Sequence, residues 1–196
     1  MPEQQNPDED RELVASAQRG ETAAFDPLVR KYTPKLYSLV FNMTANHEDT
    51  NDILQDVFAR AYRNLKRFQG RSSFYTWIYS ISVNMTLNFL KKRNRDRKKI
   101  SLDDRLVSVE ESRELQESSP SSNPVREVEI RELNERLSRA LQQLSHDHRA
   151  VVTMFDIMGL SHNQIAEIMG VSAGTVRSRL FYAHRQLQTY LEEFSG

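Results

Sequence analysis

One stretch near the end of the chain constrains the fold more than any other, because two helical patterns flank a single glycine. Residues 160–187 read LSHNQIAEIMGVSAGTVRSRLFYAHRQL. Ser161 and Ser172 stand where a hydroxyl caps a helix, and Gly170 suits the left-handed residue just beyond a helix end. Four apolar residues at spacings of four, three and four then give the second helix a buried face: Val176, Leu180, Ala183 and Leu187. This pattern predicts a helix-turn-helix.

The outward face of the second predicted helix carries side chains suited to DNA. Arginines and small hydroxyl residues near a helix N-terminus fit phosphate and base-edge contacts in a major groove. The alternative is a helical hairpin that only packs, but the caps, the turn and the basic outer face agree on a DNA reader. The candidate DNA-contacting residues are Ser172, Thr175, Arg177, Ser178, Arg179, Phe181 and Tyr182.

Composition excludes several classes of protein. Of the 196 residues, 38% are hydrophobic and 28% charged, and no apolar run is long enough to cross a bilayer. The acidic, polar start resembles neither a signal peptide nor a transit peptide, so we expect a cytoplasmic protein without membrane insertion. Cysteine is absent and the five histidines lack metal-ligand spacing, so we expect no disulfide, metal or cofactor.

A net charge of zero conceals an uneven distribution. Residues 24–99 hold fifteen Lys and Arg against six Asp and Glu, whereas residues 1–23 and 100–128 each sum to −4. The sharpest run, KKRNRDRKK at 91–99, has seven positive charges in nine residues. A basic patch on a neutral chain indicates a polyanionic partner. For the run alone, a solvated helix end is an equal explanation, because cations are favoured at helix C-termini.

The remaining sequence has helical periodicity and no strand alternation of useful length, so the fold class is all-α. We expect a short helix at about 8–19 and a second stretch at 21–43, kinked or divided by Pro27 and Pro34. A third helix follows Asn46 as its cap. Serines, acids and two prolines make 100–128 a flexible acidic linker. The predicted domains are therefore 8–99 and 129–194, the second containing the helix-turn-helix.

A fourth predicted helix, at 74–93, mixes aromatic, hydroxyl and amide side chains. We expect Trp77, Ile78, Ile81, Met85 and Leu90 to be buried, and Tyr75 and Tyr79 to lie on the outer face beside Asn84. Aromatic and amide groups beside a basic run suit single-stranded nucleic acid. In the C-terminal domain we expect an inward face of Ile130, Leu133, Leu137, Ala140, Leu141 and Leu144.

Two further segments are candidate binding surfaces. The loop 68–73 has an aromatic residue at each flank, a glycine and free serine hydroxyls, and could receive a flipped base; a simple capped loop explains the same residues. Asp52, Gln55 and Asp56 lie near Asp49 on one edge of an otherwise basic domain. That edge could meet a basic protein, although such an edge is more often only solvated.

Taken in order, three segments resemble a bacterial RNA polymerase sigma factor of the extracytoplasmic-function type, in the sigma-70 family. EDTNDILQDVFARAY at 48–62 resembles the family's polymerase-clamp segment, and FQGRSSFYTWIYSISVNMTLNFLKKR at 68–93 its minus-10 melting and recognition segment. Residues 145–187 resemble its minus-35 reader. The resemblance covers about residues 10–194 and implies a non-enzymatic subunit that directs promoter-specific initiation.

The resemblance also implies roles for individual residues. Asp52, Gln55 and Asp56 would dock on the polymerase beta-prime clamp, and the C-terminal domain would meet the beta flap. The helix-turn-helix candidates would face the minus-35 element in duplex DNA, with Tyr182 standing where relatives often have Arg. An anti-sigma protein is a further implied partner. The implied minus-10 and melted-strand contacts are Phe68, Gln69, Gly70, Arg71, Ser72, Ser73, Asn84, Lys91, Lys92 and Arg93.

Two other functions stay open at the level of sequence. A dimeric helix-turn-helix regulator could bind duplex DNA without polymerase, but this leaves the first hundred residues unexplained. An enzyme acting on RNA would need a catalytic constellation, and the sequence offers no nucleophile–base pair.

Overall fold

The computed structural model describes residues 7–103 and 124–193, and every regular element within them is a helix, which confirms the predicted fold class. The elements before residue 104 are α1 (Pro7–Gln18), a 3₁₀ turn (Thr22–Ala24), α2 (Phe25–Thr44), α3 (His47–Asn64), a 3₁₀ turn (Leu65–Arg67) and α4 (Phe74–Asp103). Those after residue 123 are α5 (Pro124–Gln143), α6 (His146–Val152), α7 (His162–Met169) and α8 (Ala173–Glu193).

The prolines of α2 do not divide it, so the expected division is wrong. Pro27 lies in the first turn, where a backbone amide has no intrahelical partner to lose. Pro34 lies inside the helix, yet the apolar face continues past it, with Tyr32, Leu36 and Leu39 all buried. Burial of that face therefore outweighs the cost of the missing amide.

Two hydrogen bonds to one carboxylate join α1 to α2, because buried Asp10 accepts hydrogen bonds from Tyr32 and Lys31.

Local capping fixes where α3 and α4 begin. The Asn46 side chain accepts the Asp49 backbone amide at 2.8 Å, as predicted, and the Ser73 hydroxyl oxygen accepts the Thr76 amide at 3.0 Å, so this loop serine caps α4. At its far end α4 continues through the basic run to Asp103, beyond the predicted end near Arg93. Arg and Lys are good helix formers, so the run extends the helix instead of ending it.

The rotation of α4 about its axis corrects the prediction for its tyrosines. Tyr75 and Tyr79 are buried, and their ring centroids lie 4.2 Å apart against the α2 side of the core. Of the residues expected in the core, Ile78 and Leu90 are buried, whereas Trp77, Ile81 and Met85 are only partly buried. The two tyrosines therefore lie on the side of α4 that packs against α2, and Trp77 lies on the side that is turned away from α2.

The C-terminal half contains the four helices α5, α6, α7 and α8, with one irregular turn after α6. After Val152, α6 continues as a π-helical turn, Thr153–Ile157, which carries one more residue per turn than an α-helix. Ala140, Leu141 and Leu144 at the end of α5 are buried as predicted. Leu133 and Leu137 are exposed, so that part of the predicted inward face is wrong, and Ile130 lies outside the residues whose side chains are described.

The two halves of the chain contact one another directly. Helices α2 and α4 of the N-terminal half pack against α5, α6 and α7 of the C-terminal half. Polar side chains cross this boundary at the C-terminal end of α2 and along α4. Helix also extends into both ends of the predicted linker, since α4 reaches Asp103 and α5 begins at Pro124. The remainder of that linker, 104–123, lies outside the described residues.

Candidate nucleic-acid interface

The helix-turn-helix is present with the predicted caps. Ser161 and Gln164 form a reciprocal capping box at the start of α7, and Gly170 adopts a left-handed φ of 66° at its end. The Ser172 hydroxyl oxygen accepts the Thr175 amide at 3.0 Å, which starts α8. Because both helix starts are held by side chains, the angle between α7 and α8 is set by local chemistry as well as by packing.

Helix α8 separates an apolar face from a DNA-competent face. Val176, Leu180, Ala183 and Leu187 are buried, as the spacing predicts. On the opposite face, Arg177 and Ser178 are exposed, and the side chains of Phe181 and Tyr182 are 64% and 57% exposed. Large aromatic groups left in solvent on the basic face of a reader helix are typical of a binding surface.

Arg179 differs from its neighbours on α8 because its guanidinium is already engaged. Its Nη2 atom donates to Asp147 Oδ2 of α6 at 3.1 Å, and the side chain is only 25% exposed. Thr175 is also partly buried and lies 2.9 Å from the Ser172 hydroxyl through its own Oγ1. The predicted set of contacts is thus divided into side chains that are free to meet DNA and side chains that hold the motif together.

An open cavity of about 330 Å³ lies beside the loop of the N-terminal half. Its aromatic wall is formed by Phe68 and Trp77, whose ring centroids are 4.8 Å apart. Its volume falls within the range of about 300–1,000 Å³ that small-molecule sites occupy. Cations and an amide complete a lining that a planar base could enter: Arg60, Asn64, Arg67, Phe68, Trp77 and Ile81.

Of the predicted loop residues, Phe68 alone lines this cavity. Gln69, Gly70, Arg71 and Ser73 are exposed beside it, and Gly70 has a left-handed φ of 66°. The side chain of Gln18 fastens the base of the loop, because its Nε2 donates to the carbonyls of Leu65 at 2.9 Å and of Phe68 at 2.8 Å. The loop is thus anchored at Phe68 and free at its tip.

Sequence reasoning missed Arg60 and Asn64, which line the cavity together with Arg67. Their spacing of four and three places them on one face of α3 and its 3₁₀ continuation, so a search for polar residues at helical spacing could have found them. What the sequence does not reveal is that this face lies opposite Trp77. On α4, Asn84 is exposed one turn beyond Ile81 and so extends the same side of the helix.

The cations further along α4 are not equivalent. Lys91 and Lys92 are exposed, whereas Arg93 donates to Asp49 Oδ2 and is only partly exposed. Asp49 is thereby removed from the acidic edge of α3. Asp52, Gln55 and Asp56 remain exposed on that edge and are close together at helical spacing. The structure therefore gives the N-terminal half one acidic edge and a separate basic surface.

Comparison with known proteins agrees with this division. Sigma-70 region 2 matches residues 28–96, and Sigma-70, region 4 matches residues 134–187. The RNA polymerase sigma-H factor of Pseudomonas aeruginosa is 34% identical over 189 residues, which cover 94% of this chain and 95% of the relative. The ECF RNA polymerase sigma-E factor of Escherichia coli is 35% identical over 184 residues, covering 93% and 94% respectively.

Two solved structures share the overall architecture. CnrH, solved in complex with the cytosolic domain of CnrY, gives a TM-score of 0.65 at 23% identity and covers 94% of this chain and 98% of that one. RpoE of Bartonella quintana, solved with the anti-sigma factor NepR, gives 0.64 at 24% identity and covers 86% and 96%. These two likenesses concern the fold.

Fold and surface together define an all-helical, two-part DNA-binding protein that ends in a helix-turn-helix. The family matches cover both halves, and the relatives match over more than nine-tenths of the chain. The chain therefore belongs to the sigma-70 family of RNA polymerase sigma factors. Among the described residues, no helix is long and apolar enough to cross a membrane, and no cluster of three or more His, Cys, Asp or Glu side chains could hold a metal ion.

Proposed function

We propose that this sigma factor recruits core RNA polymerase to promoters, with α8 reading the minus-35 element and the α3–α4 side of the N-terminal half holding the melted minus-10 strand. The observation that supports this proposal is the division of α8 into two faces. One face is buried, and the other leaves Arg177, Phe181 and Tyr182 in solvent. Synthesis of RNA belongs to the core enzyme, so we assign this chain no catalysis and place it in the cytoplasm with the polymerase.

The cavity between Phe68 and Trp77 supports capture of an extruded base. Aromatic walls stack on any base, and Arg60 and Arg67 at the lining can neutralise the neighbouring phosphates. The exposed residues Gln69, Gly70 and Arg71 of the loop and Asn84 would then meet the flanking nucleotides, with Lys91 and Lys92 on the backbone. The exposed acidic edge formed by Asp52, Gln55 and Asp56 fits a basic surface, which we assign to the polymerase clamp.

Run-off transcription with core polymerase over a promoter library tests the assignment. Arg177→Ala should reduce the binding free energy for the minus-35 element by about 1–3 kcal/mol if Arg177 makes a bidentate contact with a guanine. The loss should appear at the base pair that Arg177 contacts. Arg185→Ala is the matched control, since Arg185 is an exposed arginine two turns further along α8. Equal transcription profiles from the two variants would contradict the reader assignment.

A second pair of variants tests the cavity. Arg60→Ala should weaken binding of a single-stranded minus-10 oligonucleotide and reduce the salt dependence of that binding by about one phosphate contact. Arg63→Ala is the control, because Arg63 is exposed on the same helix but does not line the cavity. If both variants bind alike, the cavity does not hold the strand.

The acidic edge of α3 provides a test between the proposed function and the alternative, a DNA-binding regulator that acts without polymerase. A pull-down with core enzyme should retain the chain, and Asp52→Ala with Asp56→Ala should weaken that retention. Specific binding to duplex promoters by the free chain, together with no retention on core enzyme, would favour the alternative.

A further inference from the structure

The first helix, α1, ends beside the loop of the base cavity. The cavity is lined by residues of α3, α4 and the segment between them, and α1 contacts that segment from an earlier part of the chain. Backbone hydrogen bonds fix the end of α1, since Gly20 has a left-handed φ of 104° and the Glu21 amide donates to the Ser16 carbonyl at 3.2 Å. Gln18, the last residue of α1, is therefore held in place beside the 3₁₀ turn Leu65–Arg67.

One side-chain amide binds both ends of the turn that precedes the loop. Gln18 Nε2 donates to the Leu65 carbonyl at 2.9 Å and to the Phe68 carbonyl at 2.8 Å, across 47 and 50 residues of chain. Only the nitrogen of a glutamine amide can donate to a carbonyl, so its two partners determine the orientation of this side chain. The Leu65 carbonyl also accepts the Phe68 amide at 3.0 Å. Among the described residues, the Phe68 carbonyl has no donor besides Gln18, so its position depends on this one amide.

The position of the Phe68 backbone matters because the Phe68 ring forms one wall of the cavity. That ring lies 4.8 Å from the ring of Trp77 and meets the ring of Phe74 edge-on at 6.3 Å, measured between centroids. Phe74 in turn lies 5.4 Å from Tyr32 of α2. The four rings form one continuous aromatic cluster. A shift of the Phe68 backbone would therefore change the wall on which a base stacks.

Helix α1 also contacts the far end of this aromatic cluster. Tyr32 Oη donates to Asp10 Oδ2 at 2.5 Å, and Lys31 Nζ donates to Asp10 Oδ1 at 2.6 Å. Asp10 is 4% exposed, so these two hydrogen bonds replace the water that its carboxylate has lost. Asp10 and Gln18 lie eight residues apart, which is about 12 Å along a helix axis. One helix therefore contacts both ends of the aromatic cluster.

The charges of α1 argue against a direct contact of this helix with DNA. Its exposed charged side chains are Asp8, Glu9 and Glu12 against the single cation Arg11, and such an acidic surface repels phosphates. Gln18 is partly buried, and its amide already donates to two carbonyls of the protein. Any effect of α1 on a bound strand must therefore pass through the loop and its aromatic wall.

We propose that Gln18 is a positioning residue for base capture, which holds Phe68 where an extruded base can stack on the wall formed by Phe68 and Trp77. This inference rests on the proposed function, because it concerns the base that the cavity receives. Loss of the two hydrogen bonds would release the aromatic wall and leave the cations Arg60 and Arg67 in place. The defect should therefore concern the base and spare the phosphates.

Two single-stranded oligonucleotides test the inference, with the full chain bound to core polymerase and fluorescence anisotropy as the measure of Kd. One carries an intact minus-10 segment, and the other has an abasic site at the position where loss of the base costs the wild type most affinity. Gln18→Leu removes both hydrogen bonds, and Gln18→Glu keeps the shape but has no donor when ionised. The matched control is Gln188→Leu, because Gln188 is exposed on α8 and donates to Glu192 of the same helix at 3.0 Å.

We expect both Gln18 variants to bind the intact strand about tenfold more weakly, because two hydrogen bonds are lost, and to bind the abasic strand like the wild type. Gln188→Leu should keep the wild-type affinity for both strands. A variant that only unfolds the chain would lose both strands equally. An equal loss on the two strands, or no loss on either, would therefore overturn the proposal.

The single tryptophan of the chain, Trp77, gives a second readout. In the free chain without DNA, Gln18→Leu should increase the quenching of Trp77 fluorescence by acrylamide, because the Phe68 ring that lies against Trp77 is released. Gln188→Leu should leave the quenching unchanged. Equal quenching in the wild type and in Gln18→Leu would mean that Gln18 does not hold the aromatic wall, and would overturn the proposal.

Failure of this inference and failure of the proposed function are distinguishable. If the wild type binds the intact and abasic strands alike at every position, base capture is wrong, and the quenching of Trp77 still decides whether Gln18 holds Phe68. If the wild type prefers the intact strand and Gln18→Leu shows the same preference, base capture stands and only the positioning role of Gln18 is wrong.

Discussion

Replacing Arg149 by methionine should loosen the end of α5 and the start of α6 by about 3 kcal/mol. Methionine keeps an unbranched stem, so the change removes the guanidinium without opening a large hole. The carbonyls of Gln142 and Leu144 would each lose the donor that Arg149 supplies, at about 1–3 kcal/mol apiece, whereas the Leu141 carbonyl keeps the Leu144 amide at 3.1 Å. Relief from burying a charge offsets part of this loss, which keeps the sum near the middle of the range.

Hydrogen exchange measured by mass spectrometry on the full chain resolves this effect by segment. A loss of about 3 kcal/mol raises the exchange of α5 and α6 amides about 100-fold where exchange is limited by opening. Arg139→Met is the control, because Arg139 is exposed on the same helix and donates only to the Glu135 carbonyl at 3.4 Å. Similar exchange in the two variants would refute the idea that Arg149 caps the C-terminal end of α5.

Three further outcomes are expected from the same structure. Ser172→Ala removes the cap of α8 and should cost about 1 kcal/mol, visible as a lower melting temperature that Ser178→Ala does not reproduce. Asp147→Ala releases Arg179 and should steepen the salt dependence of duplex binding by about one phosphate contact; an unchanged slope would mean that Arg179 stays away from DNA. The contact of Asn94 with His146 should weaken as pH falls below about 6.5, because the folded chain with its lowered His146 pKa binds fewer protons than the unfolded chain; a loss of thermal stability between pH 8 and pH 5.5 that is the same in His146→Gln would contradict this.

The parts of the fold that depend on local chemistry were predictable from sequence. Ser161 and Ser172 mark the starts of α7 and α8, and Gly170 marks the end of α7, because each acts within four residues of itself. Asn46 marks the start of α3 for the same reason. The reader face of α8 was also predictable, since apolar residues at regular spacing leave the others outside. Short-range rules therefore place both the motif and its exposed arginine.

The errors arose where neighbours distant in sequence decide the outcome. Apolar and aromatic residues surround α4 on most sides, so periodicity alone could not tell that Tyr75 and Tyr79 face α2. Leu133 has the spacing of a core residue, yet it is 65% exposed, because burial depends on which other helices pack against that part of α5. Arg149 looks like a surface cation in sequence, and its partner at Met43 is 106 residues away. Its burial is a tertiary fact.

The π-helical turn Thr153–Ile157 places an extra residue in the helix that leads into the helix-turn-helix. Each added residue rotates the rest of the motif by about 100°, and this turn aims Phe155 at His162 of α7 and Asp156 at His184 of α8. In a relative that lacked this one residue, the reader helix would be rotated to a different orientation. Every capping residue and every core residue of the helix-turn-helix would still be present. A single-codon insertion or deletion here is thus a route by which related factors could change the orientation of their DNA reader without rebuilding it.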